Sequence, residues 1–252
     1  FVENVPFYGF GVACIDHPEV QALVSRVTDR RLVTYGQNPQ ADVRAVDVVM
    51  DGPVSRFAVE LRRRGTSEMD RIDGLSLPMP GLHNLLNATA AIAVALQLGL
   101  NRKKITDGFS AIEPVAGRLQ FKRAASGAAV IDDSYNANPE SVNAAIEVLA
   151  TAPGRRFLVL GELAELGAGA DSFYRELAQN AKAGKVSSLY TVGGAAVAAE
   201  AFGEGARAFA DQSELLAVLN GELGATDTVL VKGSRSAAME QVVNALVNGE
   251  GL

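Results

Sequence analysis

The spacing of apolar positions divides the chain into two rhythms. In the first part, "GFGVACID" (9–16) is an apolar run, "PEVQALVSRV" (18–27) is amphipathic, and "RRLVTYG" (30–36) is a second run. That order predicts strand, helix, strand. From Ala41 to Leu77 apolar residues recur at every second position, in "ADVRAVDVVM", "SRFAVELRRR" and "RIDGLSLP", with "DGP" (51–53) as a turn. A period of two predicts a small antiparallel sheet. "PMPG" (78–81) ends it. "HNLLNATAAIAVALQLGL" (83–100) reads as a mostly buried helix and "NRKKITDGFSAI" (101–112) as a second one. The loop "EPVAGR" (113–118) divides two expected domains, 1–118 and 119–252.

Beyond that loop, strands and helices alternate. Strands are predicted at "AAVIDD" (128–133), "RRFLVLGEL" (155–163), "SSLYTVG" (187–193) and "DTVLVKGS" (227–234). Helices are predicted at 138–152, 172–184, 194–203, 213–223 and 236–247. Such alternation predicts an α/β domain with a Rossmann-like, mainly parallel sheet covered on both faces.

Composition narrows the function. The 252 residues are 48% hydrophobic, enough to bury a full core, and carry a net charge of −6. An acidic chain is a poor general binder of nucleic acid or anionic membrane, although a local basic pocket for phosphate remains open. A single cysteine excludes an internal disulfide and fits a reducing, cytoplasmic setting. Two histidines nearly exclude a His-rich zinc site, and no metal ligands are assigned. No apolar run reaches the roughly 18 residues of a membrane span. The composition is silent on oligomeric state.

Candidate chemistry collects at strand ends, because open parallel sheets bind ligands outside the carboxyl ends of their strands. The first end offers Asp132, Asp133, Ser134, Tyr135, Asn136 and Asn138 in "VIDDSYNANPES". The second offers Gly161, Glu162 and Glu165, and the last Lys232, Gly233, Ser234 and Arg235. Each could be an ordinary polar loop. Glycines would let a ligand approach the backbone, and Lys232 and Arg235 suit a carboxylate or phosphate. "KGSR" before a helix at Ser236 would add a helix N-terminus to that anion site. In "PGLHNLLNA" (80–88), His83, Asn84 and Asn87 share the first turns of an apolar helix. They are either a helix cap or an edge for adenine. Arg62, Arg63 and Arg64 are a phosphate patch or a solvated hairpin end. Neither a G-x-x-x-x-G-K-[ST] P-loop nor a G-x-G-x-x-G turn after a strand occurs in these residues.

These motifs carry a resemblance to the Mur ligase family, the ATP-dependent amide ligases of peptidoglycan precursor synthesis. It is divided. "FVENVPFYGFGVACIDHPEV", "TYGQNPQADVRA" and "LPMPGLHNLLNATAAIAVA" resemble the middle domain of the L-alanine-adding members. "PVAGR", "VIDDSYNANPESVNAAIEVL", "LVLGELAELG" and "LVKGSRSAAMEQVV" resemble the D-alanyl-D-alanine-adding members. The expectation is a chimeric or truncated chain joined near 100–112. It would hold a partial ATP-binding middle domain followed by the C-terminal ligase domain.

The resemblance implies ATP, Mg²⁺, a UDP-N-acetylmuramoyl peptide and D-alanyl-D-alanine or another amino acid as ligands. It implies His83, Asn84 and Asn87 beside the adenine, although Leu82 stands where an arginine is usual. It places Arg118, in "AGR" at the domain hinge, on the terminal phosphate as the catalytic cation, and Asp133 on the ribose or nearby phosphates. It gives Asn136, Asn138, Lys232, Ser234 and Arg235 to the incoming amino substrate. Members normally hold Mg²⁺ and the phosphates on a "GTxGKTT" P-loop. Without one, these 252 residues alone are expected to be catalytically inactive, with at most weak nucleotide binding.

Overall fold

The computed structural model describes residues 2–62, 69–164 and 166–249. The chain forms two compact units, 1–113 and 114–252.

The first unit contains β1 (Gly11–Cys14), α1 (Pro18–Val24), β2 (Leu32–Gly36), β3 (Val43–Asp51), β4 (Val54–Arg62), β5 (Met69–Leu77), α2 (Leu82–Gln97) and α3 (Arg102–Ser110). The expected antiparallel meander is present as β3–β4–β5. It is not a separate sheet. β2 pairs in parallel with both β1 and β3, so all five strands form one sheet in the order β1-β2-β3-β4-β5. Val43 and Ala45, Phe57 and Val59, and Leu75 and Leu77 alternate along their strands, and with Ile72, set off by a register shift, they are buried with Leu85, Ile92 and Ala93 of α2 and Ile105 and Phe109 of α3. A period of two on the strands and of three to four on the helices therefore meet in one core.

The second unit contains β6 (Gln120–Arg123), β7 (Ala129–Asp133), α4 (Pro139–Ala150), β8 (Arg156–Leu160), α5 (Ala170–Ala183), β9 (Ser188–Val192), α6 (Ala196–Phe202), β10 (Ala206–Phe209), α7 (Gln212–Glu222), β11 (Thr228–Lys232) and α8 (Glu240–Asn248). The sheet order is β10-β9-β8-β11-β7-β6, parallel except for the antiparallel edge strand β6. The central strands are apolar on both faces, as a doubly covered sheet requires. Ile131, Leu158, Leu160 and Leu230 pack with α4, α5 and α6. Val130, Phe157, Val159, Val229 and Val231 pack with α7 and α8. Because each unit buries its own core, limited proteolysis is expected to leave a stable fragment beginning near residues 113–122. A first stable cut within 155–235 would contradict the division.

At the amino ends of the strands, Asp227 joins β8 to β11. Its carboxylate is 4% exposed and accepts from Arg155 Nη2 at 2.7 Å and from the Gly224 N–H at 2.8 Å. The Arg155 hydrogen bonds outweigh burial and hold the Asp227 carboxyl below the usual carboxylate range. A depressed carboxyl stabilises the fold fully above its unfolded value, near pH 4, and loses that contribution as pH falls through the folded value. Asp227→Asn is therefore expected to flatten the acid limb of the stability–pH curve below about pH 4. Equal slopes for the two proteins in acid urea titrations would refute this.

Candidate functional site

Three of the strand ends singled out from the sequence are neighbours. β11 lies between β7 and β8, so Asp133, Lys232 and Leu160 end side by side at one edge of the sheet. The chain places it there by returning from the far edge strand β10, and this reversal of strand order opens a crevice at the carboxyl edge.

Lys232 and Asp133 are register partners on adjacent strands. The Lys232 side chain is 2% exposed, its Nζ 2.5 Å from Asp133 Oδ2 and 2.9 Å from the Asn136 carbonyl oxygen, to which it donates. The ammonium is thus engaged by the protein, beneath the loop that follows β7. Asp133 Oδ1 also accepts from the Leu119 N–H at 3.1 Å. Asp132 is buried, accepts from Ser134 Oγ at 2.6 Å and pairs with Lys122 of β6 at 2.7 Å. Two adjacent aspartates therefore brace the loop, one toward β11 and one toward β6.

The "AGR" loop is clamped to this edge by its backbone. The Tyr135 N–H donates to the Gly117 carbonyl at 3.0 Å. Gly117 has φ +69°, and a Cβ there would lie 3.0 Å from the Tyr135 nitrogen, so a side chain would strain both the turn and the contact. Arg118 leaves the backbone at this clamp. Its guanidinium carbon lies 4.6 Å from the centre of the half-exposed Tyr135 ring, and that of Arg235 lies 6.0 Å from the same ring.

Asn138 caps α4. Its Oδ1 accepts from the Ser141 N–H at 2.8 Å, and Ser141 Oγ accepts from the Asn138 N–H at 3.0 Å. Asn136 Oδ1 accepts from the Ala137 N–H at 2.9 Å. Both carboxamides spend their oxygens on the backbone and keep NH₂ groups as donors. With Ala164, Leu166, Arg235 and Ser236 they line an open cleft of about 850 Å³. Arg235 is exposed, with Nη1 3.0 Å from Glu240 Oε1. The cleft is therefore rich in donors, an arrangement suited to a carbonyl or carboxylate ligand.

The "KGSR" segment differs from expectation. The last helix begins at Glu240, not Ser236. Residues Arg235–Ala237 form a single 3-10 turn, and Ala238 is left-handed at φ 47°, which interrupts the helix. No helix N-terminus therefore sits between Lys232 and Arg235. Ser234 is 1% exposed, with Oγ 3.1 Å from Ser236 Oγ. The glycines also serve packing. A Cβ on Gly161 would lie 2.6 Å from Met239 Sδ, and one on Gly233 would lie 2.6 Å from Met239 Cγ. They make room for the start of α8. Tyr174 secures the end of β8 by accepting from the Leu163 N–H at 3.0 Å, and burial pushes its phenol above the ordinary range.

In the first unit, His83, Asn84 and Asn87 lie on the first turns of α2, with His83 and Asn87 exposed. Asn84 Nδ2 donates to the Pro80 carbonyl at 2.8 Å, so one carboxamide performs the local turn-binding role. Arg62 donates to the Pro39 carbonyl at 2.6 Å, while Arg63, Arg64 and Glu165 lie outside the described residues. Among the described residues no three His, Cys, Asp or Glu side chains cluster as a metal site would need. None of their helices is long and apolar enough to cross a membrane.

A parallel sheet covered on both faces, with a cleft at its strand reversal, defines an α/β domain of the kind in which open sheets carry ligands at the carboxyl edge. Residues 117–235 match the family model described as Mur ligase, glutamate ligase domain. UDP-N-acetylmuramate–L-alanine ligase of Sinorhizobium fredii is 51% identical over 146 residues, 58% of this chain and 31% of that protein. MurF from Acinetobacter baumannii superposes with a TM-score of 0.81 at 27% identity, over 95% of this chain and 52% of that one. MurF from Thermotoga maritima, solved in complex with ADP, has a TM-score of 0.77 at 23% identity, over 95% of this chain and 53% of that one, a likeness of fold. The chain spans about a third of the curated relative's length and about half of the solved MurF chains. The resemblance to Mur ligases holds, with L-alanine-adding relatives among the sequence matches and MurF among the structural ones.

Proposed function

We propose that the chain is part of an ATP-dependent, ADP-forming amide ligase of peptidoglycan precursor synthesis, and that its second unit receives the incoming amino substrate. The observation that carries this reading is the cleft lined by Asn136, Asn138 and Arg235, with the two carboxamide oxygens bound to the backbone and the guanidinium exposed. Those donors match the carboxylate and carbonyl of an amino acid or of D-alanyl-D-alanine.

The chemistry that such a site serves is acyl transfer. A carboxylate of the UDP-N-acetylmuramoyl peptide attacks the terminal phosphorus of ATP, giving an acyl phosphate and ADP. The amine of the second substrate adds to the acyl carbon, loses a proton, and phosphate leaves with the electrons of the broken C–O bond. Positioning and charge stabilisation supply most of the rate in such a step. In this reading Arg118 meets the transferred phosphoryl group, Asp133 borders the ribose, and His83, Asn84 and Asn87 lie by the adenine. Mg²⁺ acts with ATP. Asn136, Asn138 and Arg235 touch the amino substrate. Lys232 and Ser234, being buried, act by holding the loops that carry them.

The 252-residue polypeptide alone contains no P-loop and is expected to release no phosphate from ATP above background, even with D-alanyl-D-alanine and the UDP-tripeptide supplied. Turnover under those conditions would contradict the assignment of phosphate handling to a P-loop outside these residues.

A further inference from the structure

We propose that Tyr135 is a positioning residue whose ring gathers the guanidinium groups of Arg118 and Arg235 at the carboxyl edge of the sheet, so that the phosphoryl-facing and the carboxylate-facing cation are held side by side. The inference rests on the reading of this edge as the substrate site. Tyr135 is 48% exposed, though a tyrosine that only filled the core would be covered. Its backbone is fixed by the hydrogen bond from its N–H to the carbonyl of Gly117, the residue before Arg118. The two guanidinium carbons lie 4.6 and 6.0 Å from the ring centre, within the range of cation–π attraction.

Two exposed arginines repel and would each gain rotamer freedom by turning into water. The ring opposes both tendencies through its negative quadrupole, and Glu240, 3.0 Å from Arg235 Nη1, offsets part of the repulsion. Arg118 comes from the loop before β6 and Arg235 from the turn after β11. Tyr135, after β7, is the group both approach. The arrangement suits a phosphoryl group or a tetrahedral adduct whose charge is spread over several oxygens.

The test is side-chain NMR of the arginine Nε–H groups in the full chain, for the wild type, Tyr135→Phe and Tyr135→Leu, with inorganic pyrophosphate as the probe. The Arg118 resonance is expected to carry a ring-current shift in the wild type and in Tyr135→Phe and to lose it in Tyr135→Leu. Pyrophosphate is expected to move both the Arg118 and Arg235 resonances, with binding weakened roughly fivefold in Tyr135→Leu and restored in Tyr135→Phe. An Arg118 resonance unchanged by Tyr135→Leu would overturn the proposal. So would equal pyrophosphate binding by all three proteins, or pyrophosphate that moves neither arginine in the wild type. The ring-current arm involves no substrate or turnover, so failure of the ligase reading in a kinetic assay would leave it untouched.

Discussion

Lys232→Met is expected to destabilise the second unit by about 3–5 kcal/mol, toward the lower end because Asp133 retains some solvent contact. The reason lies in what remains after the change. A buried ion pair is of little net value against a well-packed apolar pair, since desolvation consumes most of the attraction. Removing one partner is different, because the other charge loses the Lys232 ammonium and keeps only its remaining contacts, such as the Leu119 N–H. Here Lys232 is 2% exposed and Asp133 13%, and the lost ammonium also donated to the Asn136 carbonyl. A domain of this size is stable by only about 5–15 kcal/mol, so the single variant forfeits a large share. Adding Asp133→Asn should recover most of the loss, because the stranded charge disappears with it. Urea unfolding of the two variants separates the cases. A single variant within about 0.5 kcal/mol of wild type, or a double variant no better than the single, would mean that the pair does not brace the β7–β11 edge.

The same pair shows where sequence reading is strong and where it stops. The parallel sheet was legible because the central strands "AVIDD", "RFLVL" and "TVLVK" are short apolar runs between amphipathic helices. Two strands were not anticipated, β6 ("QFKR") and β10 ("ARAF"). Both are four-residue edge strands, and edge strands tolerate the charged residues, Lys122, Arg123 and Arg207, that break an apolar pattern. In the first unit the antiparallel alternation was visible, but the two-residue parallel joint between β2 and β3 leaves no periodic mark.

At the site, the three relevant strand ends could be chosen from sequence, because small polar groups after an apolar run are visible along the chain. Their adjacency could not, since it depends on β11 inserting between β7 and β8. Nor could the burial of Lys232: a lysine after an apolar strand reads as a ligand for anions until its register with Asp133 is known. Gly161 and Gly233 looked like room for a ligand and are instead room for Met239. Tyr135 is the signal the sequence does carry, a lone aromatic among small polar residues in a half-exposed loop.

The central claim is that the second unit receives the amino substrate, and Arg235 tests it. Its guanidinium is exposed at the cleft and rests on Glu240, an exchangeable surface pair worth at most about 1 kcal/mol. A substrate carboxylate held by Arg235 together with the amide donors of Asn136 and Asn138 would gain charge-assisted bonds of about 1.5–3 kcal/mol, or roughly 10- to 100-fold in affinity. The most direct measurement grafts residues 114–252 into a complete D-alanyl-D-alanine-adding ligase and compares steady-state kinetics with and without Arg235→Ala. The expected result is a KM for D-alanyl-D-alanine raised at least about tenfold, with the KM for ATP within about twofold of the parent. Equal shifts in the two constants, or no shift in either, would make Arg235 a solvated surface charge and contradict the assignment of the cleft.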